Sequence, residues 1–127
     1  MFLGRVIGTV WSTVKWPELH GHKLLLVRPY SLGDLATIGT SIDAAPNHDG
    51  VVCADTLGAG VGEDVVVAYG HAARVAVSES LAPGDLPSVP VDAAVVAIVD
   101  RVELAPAGER GRRPLAFVDN YLPKWAR

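Results

Sequence analysis

The chain has one cysteine, Cys53, in 127 residues, so no disulfide can form within it, and a reducing compartment such as the cytosol is expected. Flanked by Val51, Val52 and Ala54, that cysteine reads as a small buried hydrophobe rather than a nucleophile. Aromatic residues make up only 6%, too few for a face of stacked bases. Basic residues do not exceed acidic ones, 11 against 14, for a net charge of −3, which argues against a nucleic-acid or anionic-membrane surface. No apolar run approaches a membrane span, and the start Met1-Phe2-Leu3-Gly4-Arg5 lacks the basic region of a signal peptide. No nucleophile, base and orienting group fall into a recognisable spacing, so no catalytic residues are expected.

Half of the residues are hydrophobic and 20% charged. A single domain of this size with so few charges exposes more apolar surface than a monomer comfortably carries, which predicts a partner or a ring.

The organising stretch is Cys53 to Arg74. Gly58, Gly60 and Gly62 stand at alternate positions between an apolar run ending at Ala54 and the β-branched run Val65-Val66-Val67. Such glycines predict a backbone with positive φ, or a neighbour too close for a Cβ. A dinucleotide fingerprint needs a different spacing and a following helix, and a phosphate loop needs a lysine, yet none occurs between Lys23 and Lys124. Glu63 and Asp64 would also repel a phosphate. A tight connection between two barrel strands is the better account, and no cofactor is expected.

In chain order, Phe2 to Val14 alternates as a strand, with Gly4 and Gly8 permitting the coiling of a small closed barrel. Trp11 and Trp16 flank its end and are expected to pack in the core or an interface. His20 and His22 are spaced as metal ligands are, but without cysteines or convergent carboxylates they read as a loop pair, and no metal site is expected. Leu24-Leu25-Leu26-Val27, closed by Pro29, predicts a second strand covered on both faces. Tyr30 to Gly50 is weakly patterned, with an extra hairpin conceivable around Ala36 to Ile42. Val51 to Ala54 and Val65 to Tyr69 supply the third and fourth strands. The alanine-rich stretch from His71 to Ala76 predicts a short helix, with a structural role for His71. Leu81 to Pro90 is a loop, and Ala93 to Val102 the last strand. The tail differs in kind: a linker with Arg110, Arg112 and Arg113 leads to an apolar end containing Phe117, Tyr121, Leu122 and Trp125. A small five-stranded β-barrel of oligonucleotide/oligosaccharide-binding (OB) type with a short helix follows, over residues 1–104, with a C-terminal extension at 105–127.

Several stretches together resemble the pentameric vertex proteins of bacterial microcompartments, the ethanolamine-utilisation and carboxysome type. They are Leu3 to Val10, His22 to Pro29, Ala54 to Glu63, Gly70 with Ala73-Arg74, and Pro90 to Asp100, in the family's order. The resemblance implies a non-enzymatic shell protein of the cytoplasm, a homo-pentamer set among hexameric and pseudo-hexameric shell proteins, with neither nucleic acid nor membrane as partner. Gly58, Ala59, Gly60, Val61, Gly62 and Arg74 are then candidates for the subunit interface or the central axis. The chain departs from the family pattern in a longer segment from Tyr30 to Gly50, in His71-Ala72 after Gly70, and in the extended tail. The alternatives are a homo-oligomeric scaffold outside any shell, or a single-strand nucleic-acid binder on the same barrel.

Overall fold

The computed structural model describes residues 1–36, 50–78 and 81–106. Five strands, β1 (Phe2–Val10), β2 (Lys23–Pro29), β3 (Val51–Asp55), β4 (Asp64–Tyr69) and β5 (Ala93–Val99), close into a barrel in the order β1-β2-β3-β5-β4. Two short helices accompany them, α1 (Leu32–Ala36) and α2 (His71–Val77). All strand pairs are antiparallel except β3 with β5, which run parallel and meet through Ala54 and Ala94.

Alternation sorts the side chains. Val6, Leu25, Val27, Cys53, Val65, Val67 and Val95 point inward and are almost fully buried, and Leu25 heads the fully buried side chains by volume. A barrel this narrow is filled mostly by valines and alanines, with Phe2 packed against the core half-buried. A second, smaller cluster joins Ala73 and Val77 of α2 to Ala54 and Ala94, so the helix covers the parallel seam.

Closure demands close backbone approach at one point above all. Gly4 is paired with Pro29 on β2 and with Val65 on β4. A Cβ there would lie 2.6 Å from the Arg28 carbonyl oxygen and 2.7 Å from a Val27 methyl. Gly8 is different: its Cβ would meet Leu26 at an ordinary 3.7 Å, and it marks instead the end of a register shift after Val6. That irregularity bends β1 around the core, as bulges do.

Several expectations need correction. The first strand ends at Val10, not Val14, because Val10 pairs with Leu24 near the start of β2 and no partner lies beyond. The last strand ends at Val99, not Val102, because Val99 pairs with Asp64, the first residue of β4. The second strand is fully covered on one face only, since Leu24 and Leu26 are half-buried. Trp11 and Trp16 are 90% and 65% exposed, so neither belongs to the core. Helix α1 was not anticipated, although Ser31 and Asp34 cap it reciprocally: the Asp34 amide donates to Ser31 Oγ at 3.1 Å and the Ser31 amide to Asp34 Oδ2 at 2.7 Å. The hairpin considered at Ala36 to Ile42 falls outside the described residues beyond Ala36, as does the tail beyond residue 106.

Gly4→Val is expected to destabilise the barrel by about 1–3 kcal/mol, because a backbone carbonyl cannot step aside as a side-chain tip can. Urea denaturation of the two proteins measures it, and an unchanged midpoint would contradict the close approach.

Candidate functional site

The glycine-bearing connection between β3 and β4 is held from within by one carboxylate. Asp55 is 4% exposed and accepts hydrogen bonds from the amides of Leu57 at 3.1 Å, Gly58 at 3.1 Å and Ala59 at 2.9 Å. Lys23, at the start of β2, places its ammonium 3.7 Å from Asp55 Oδ2 and also donates to the Ala59 carbonyl. A buried carboxylate is tolerated only when so satisfied. Ala59 is completely buried and joins the barrel core, so the loop is anchored there by packing as well.

The rest of the loop is a turn stitched to β1. The Gly60 amide donates to Glu63 Oε2 at 2.7 Å, and the Glu63 amide returns to the Gly60 carbonyl at 3.1 Å. The Gly62 amide donates to the Val6 carbonyl at 2.8 Å, and the Val6 amide to the Glu63 carbonyl at 2.9 Å. Every one of these loop amides is spent inside the chain. The amides of Leu57, Gly58, Ala59, Gly60, Gly62 and Glu63 are thereby taken up and are not turned outward as those of a phosphate-binding loop are.

The glycines divide into two kinds. Gly58 and Gly62 have φ of +83° and +92°, where side chains are disfavoured. Gly60 does not, and a Cβ on it would meet nothing nearer than Glu63 Oε2 at 3.8 Å. Of the two grounds expected for these glycines, positive φ holds at Gly58 and Gly62, and among the described residues of the single chain neither ground holds at Gly60. Beside it Val61 is 64% exposed, and Leu57 is 50% exposed.

Arg74 belongs to a different element, α2. It is half-buried on α2, its backbone carbonyl accepting from the Ser78 amide and hydroxyl, and among the described residues no hydrogen bond or ion pair links it to Gly58–Gly62. His20 follows the short 3-10 turn Pro17–Leu19, and His22 lies across Gly21 from it, just before β2. His71 is exposed at the first position of α2.

Sequence reasoning missed two clusters. Asp55 and Lys23 are one, and an Asp three residues before a glycine was its available sign. The other stands where β4 begins: Arg5 Nε donates to Asp64 Oδ1 at 3.0 Å, Tyr30 Oη donates to the same oxygen at 2.5 Å, and the guanidinium lies 5.9 Å from the Tyr30 ring centre. The bond to Asp64 raises the Arg5 pKa, and burial first, then that same carboxylate, pushes Tyr30 up to about 12. Burial, with a smaller contribution from Asp92, pushes the Cys53 thiol up to about 12, as befits an inert core residue.

Residues 1–100 match the family described as "Ethanolamine utilisation protein EutN/carboxysome". The chain is 42% identical to the bacterial microcompartment shell vertex protein PduN of Salmonella typhimurium over 100 residues, 79% of this chain and 96% of that one. It is 42% identical to the carboxysome shell vertex protein CcmL of a Synechocystis species, covering 83% of this chain and 88% of that one. Among solved structures, the GrpN pentameric microcompartment shell protein from Rhodospirillum rubrum superposes with a TM-score of 0.62 at 40% identity, over 83% of this chain and 100% of that one.

The two raised acids set a pH dependence. Neutral Tyr30 and Cys53 are favoured by folding, so their contribution is complete below their ordinary values of 10.0 and 9.0 and is lost as pH climbs toward about 12. The urea midpoint is expected to fall across that window, and to fall less in Tyr30→Phe/Cys53→Ala. A decline of the same size in the double variant would contradict the assignment.

Proposed function

The chain belongs to the EutN/carboxysome family of shell vertex proteins, and from that premise we propose that five copies close into a ring that occupies the corners of a polyhedral bacterial microcompartment. The role is structural rather than catalytic. The observation that carries it is the match of the whole pentameric Rhodospirillum rubrum chain by this barrel, with the glycine loop inside the matched region. Hexagonal tiles alone make a flat sheet, and pentagons supply the curvature that closes it. The ring's neighbours are accordingly hexameric and pseudo-hexameric shell proteins, and its place is the shell, within the cytoplasm.

The surface supports an assembled state. Trp11, Val14 and Trp16 are 90%, 94% and 65% exposed on the β1–β2 connection, an apolar grouping of the sort that interfaces cover. A closed ring needs a heterologous contact, one patch of each copy against a different patch of the next. We assign one side of that contact to Gly58, Ala59, Gly60, Val61 and Gly62, with Arg74 as a further candidate on α2. Gly60 favours this assignment, because among the described residues its own chain supplies neither a positive φ nor a close neighbour as a reason for a glycine. Residues 1–104 then form the tile and 105–127 an extension to it.

Native mass spectrometry of the purified chain is expected to give 5 × 13.3 kDa, about 66.5 kDa. Gly60→Val is expected to weaken the ring by on the order of 1–3 kcal/mol per contact while leaving the barrel folded. A wild-type monomer, dimer or hexamer would contradict the ring, and an undiminished pentamer from Gly60→Val would remove Gly60 from the contact. Deleting Pro106 to Arg127 is expected to leave a folded barrel by circular dichroism, because β5 ends at Val99. Wholesale unfolding would show that the extension is part of the core.

A further inference from the structure

The segment Thr56 to Gly62 is short, carries three glycines and would sample many shapes if left to itself. Two side chains remove that freedom. Asp55 draws three consecutive amides, Leu57, Gly58 and Ala59, onto one buried carboxylate. Lys23, reaching over from a different strand, holds both that carboxylate and the Ala59 carbonyl. With Ala59 seated in the core, Leu57 and Val61 are left facing away from the chain, half-exposed or more. The clamp therefore does more than tie two strands together: it presents an apolar edge in one conformation, on either side of a residue position that has room for a Cβ within its own chain.

We propose that Asp55 and Lys23 are the positioning pair of self-assembly, fixing the loop in the shape that receives a second copy of this chain along Leu57 and Val61. This rests on the ring proposed above. A contact surface ordered before association loses less conformational entropy on binding, so the pair acts on assembly through the loop without touching the neighbour. Because every copy in a closed ring uses the same contact, a small loss at each loop is repeated at each interface.

The test compares the wild-type chain with Asp55→Asn, Lys23→Met, Lys23→Arg, Val61→Asp and the double variant Lys23→Met/Val61→Asp. Arg101→Met serves as a control elsewhere, since the Arg101 side chain is exposed after β5, where it pairs with Glu103. Native mass spectrometry over a dilution series gives the concentration of half-assembly, and far-UV circular dichroism reports the barrel. Val61→Asp is expected to abolish the ring. Asp55→Asn and Lys23→Met are expected to raise the half-assembly concentration about tenfold or more with the barrel signal intact. Lys23→Arg is expected to restore most of the loss, Arg101→Met to behave as wild type, and the double variant to be no worse folded than Val61→Asp alone.

Unchanged half-assembly in Lys23→Met and Asp55→Asn, beside a wild-type ring, would overturn the proposal. So would an intact ring in Val61→Asp. If Asp55→Asn does not fold, Lys23→Met and Val61→Asp decide, because both side chains are substantially exposed in the single chain. A wild-type chain that forms no ring at any concentration would instead remove the ring itself, and is distinguishable on that ground.

Discussion

Closing five strands into a barrel leaves an interior a few side chains wide, and most of the molecule follows from that limit. The core is built from valine, alanine and cysteine with Leu25 the largest fully buried group, and among the described residues no aromatic ring is fully buried, Phe2 packing against the core half-buried. At Gly4 the strands approach so closely that no Cβ fits. The larger side chains are displaced outward, where Ile7, Val52, Tyr69 and the two tryptophans of the β1–β2 connection stand exposed. A barrel too narrow to bury its own large residues has an incentive to associate. The same narrowness requires the β3–β4 connection to seat Ala59 in the core, which in turn draws Asp55 out of water and obliges the chain to satisfy it.

How much of this was legible depends on which forces are local. Alternation and β-branching located all five strands, and the alanine-rich run after Gly70 located α2, because those signals are carried by the residues themselves. The ends of β1 and β5 were overrun, since a strand stops where its partner does, and Leu24 and Asp64 are far away in sequence. The short helix at Leu32 was hidden in a stretch dominated by turn residues, although Ser31 and Asp34 are the two ends of a capping box. Nothing local says that Asp55, an aspartate ending a strand, will be buried, because its burial depends on Ala59 entering the core and on Lys23 arriving from β2.

The functional conclusion came by a different route from the fold. Composition argued against nucleic-acid binding and pointed to association, and the lack of a catalytic spacing argued against an enzyme, but no periodicity distinguishes a pentamer from another ring. The family resemblance across residues 1–104 supplied that, and the match over residues 1–100 established membership. The structure adds a division among the glycines that sequence could not make: Gly58 and Gly62 serve the backbone's own turn, whereas Gly60 has space and an ordinary φ. Among the described residues it also shows no hydrogen bond or ion pair between Arg74 on α2 and the loop.

The most direct test of a five-fold tile is its symmetry seen as an image. Single-particle electron microscopy of the purified full chain is predicted to yield ring-shaped class averages with five-fold rotational symmetry, and a reconstruction with the Gly58–Gly62 loop buried between adjacent barrels. Six-fold rings, two-fold particles, or five-fold rings with that loop facing solvent all round would contradict the account.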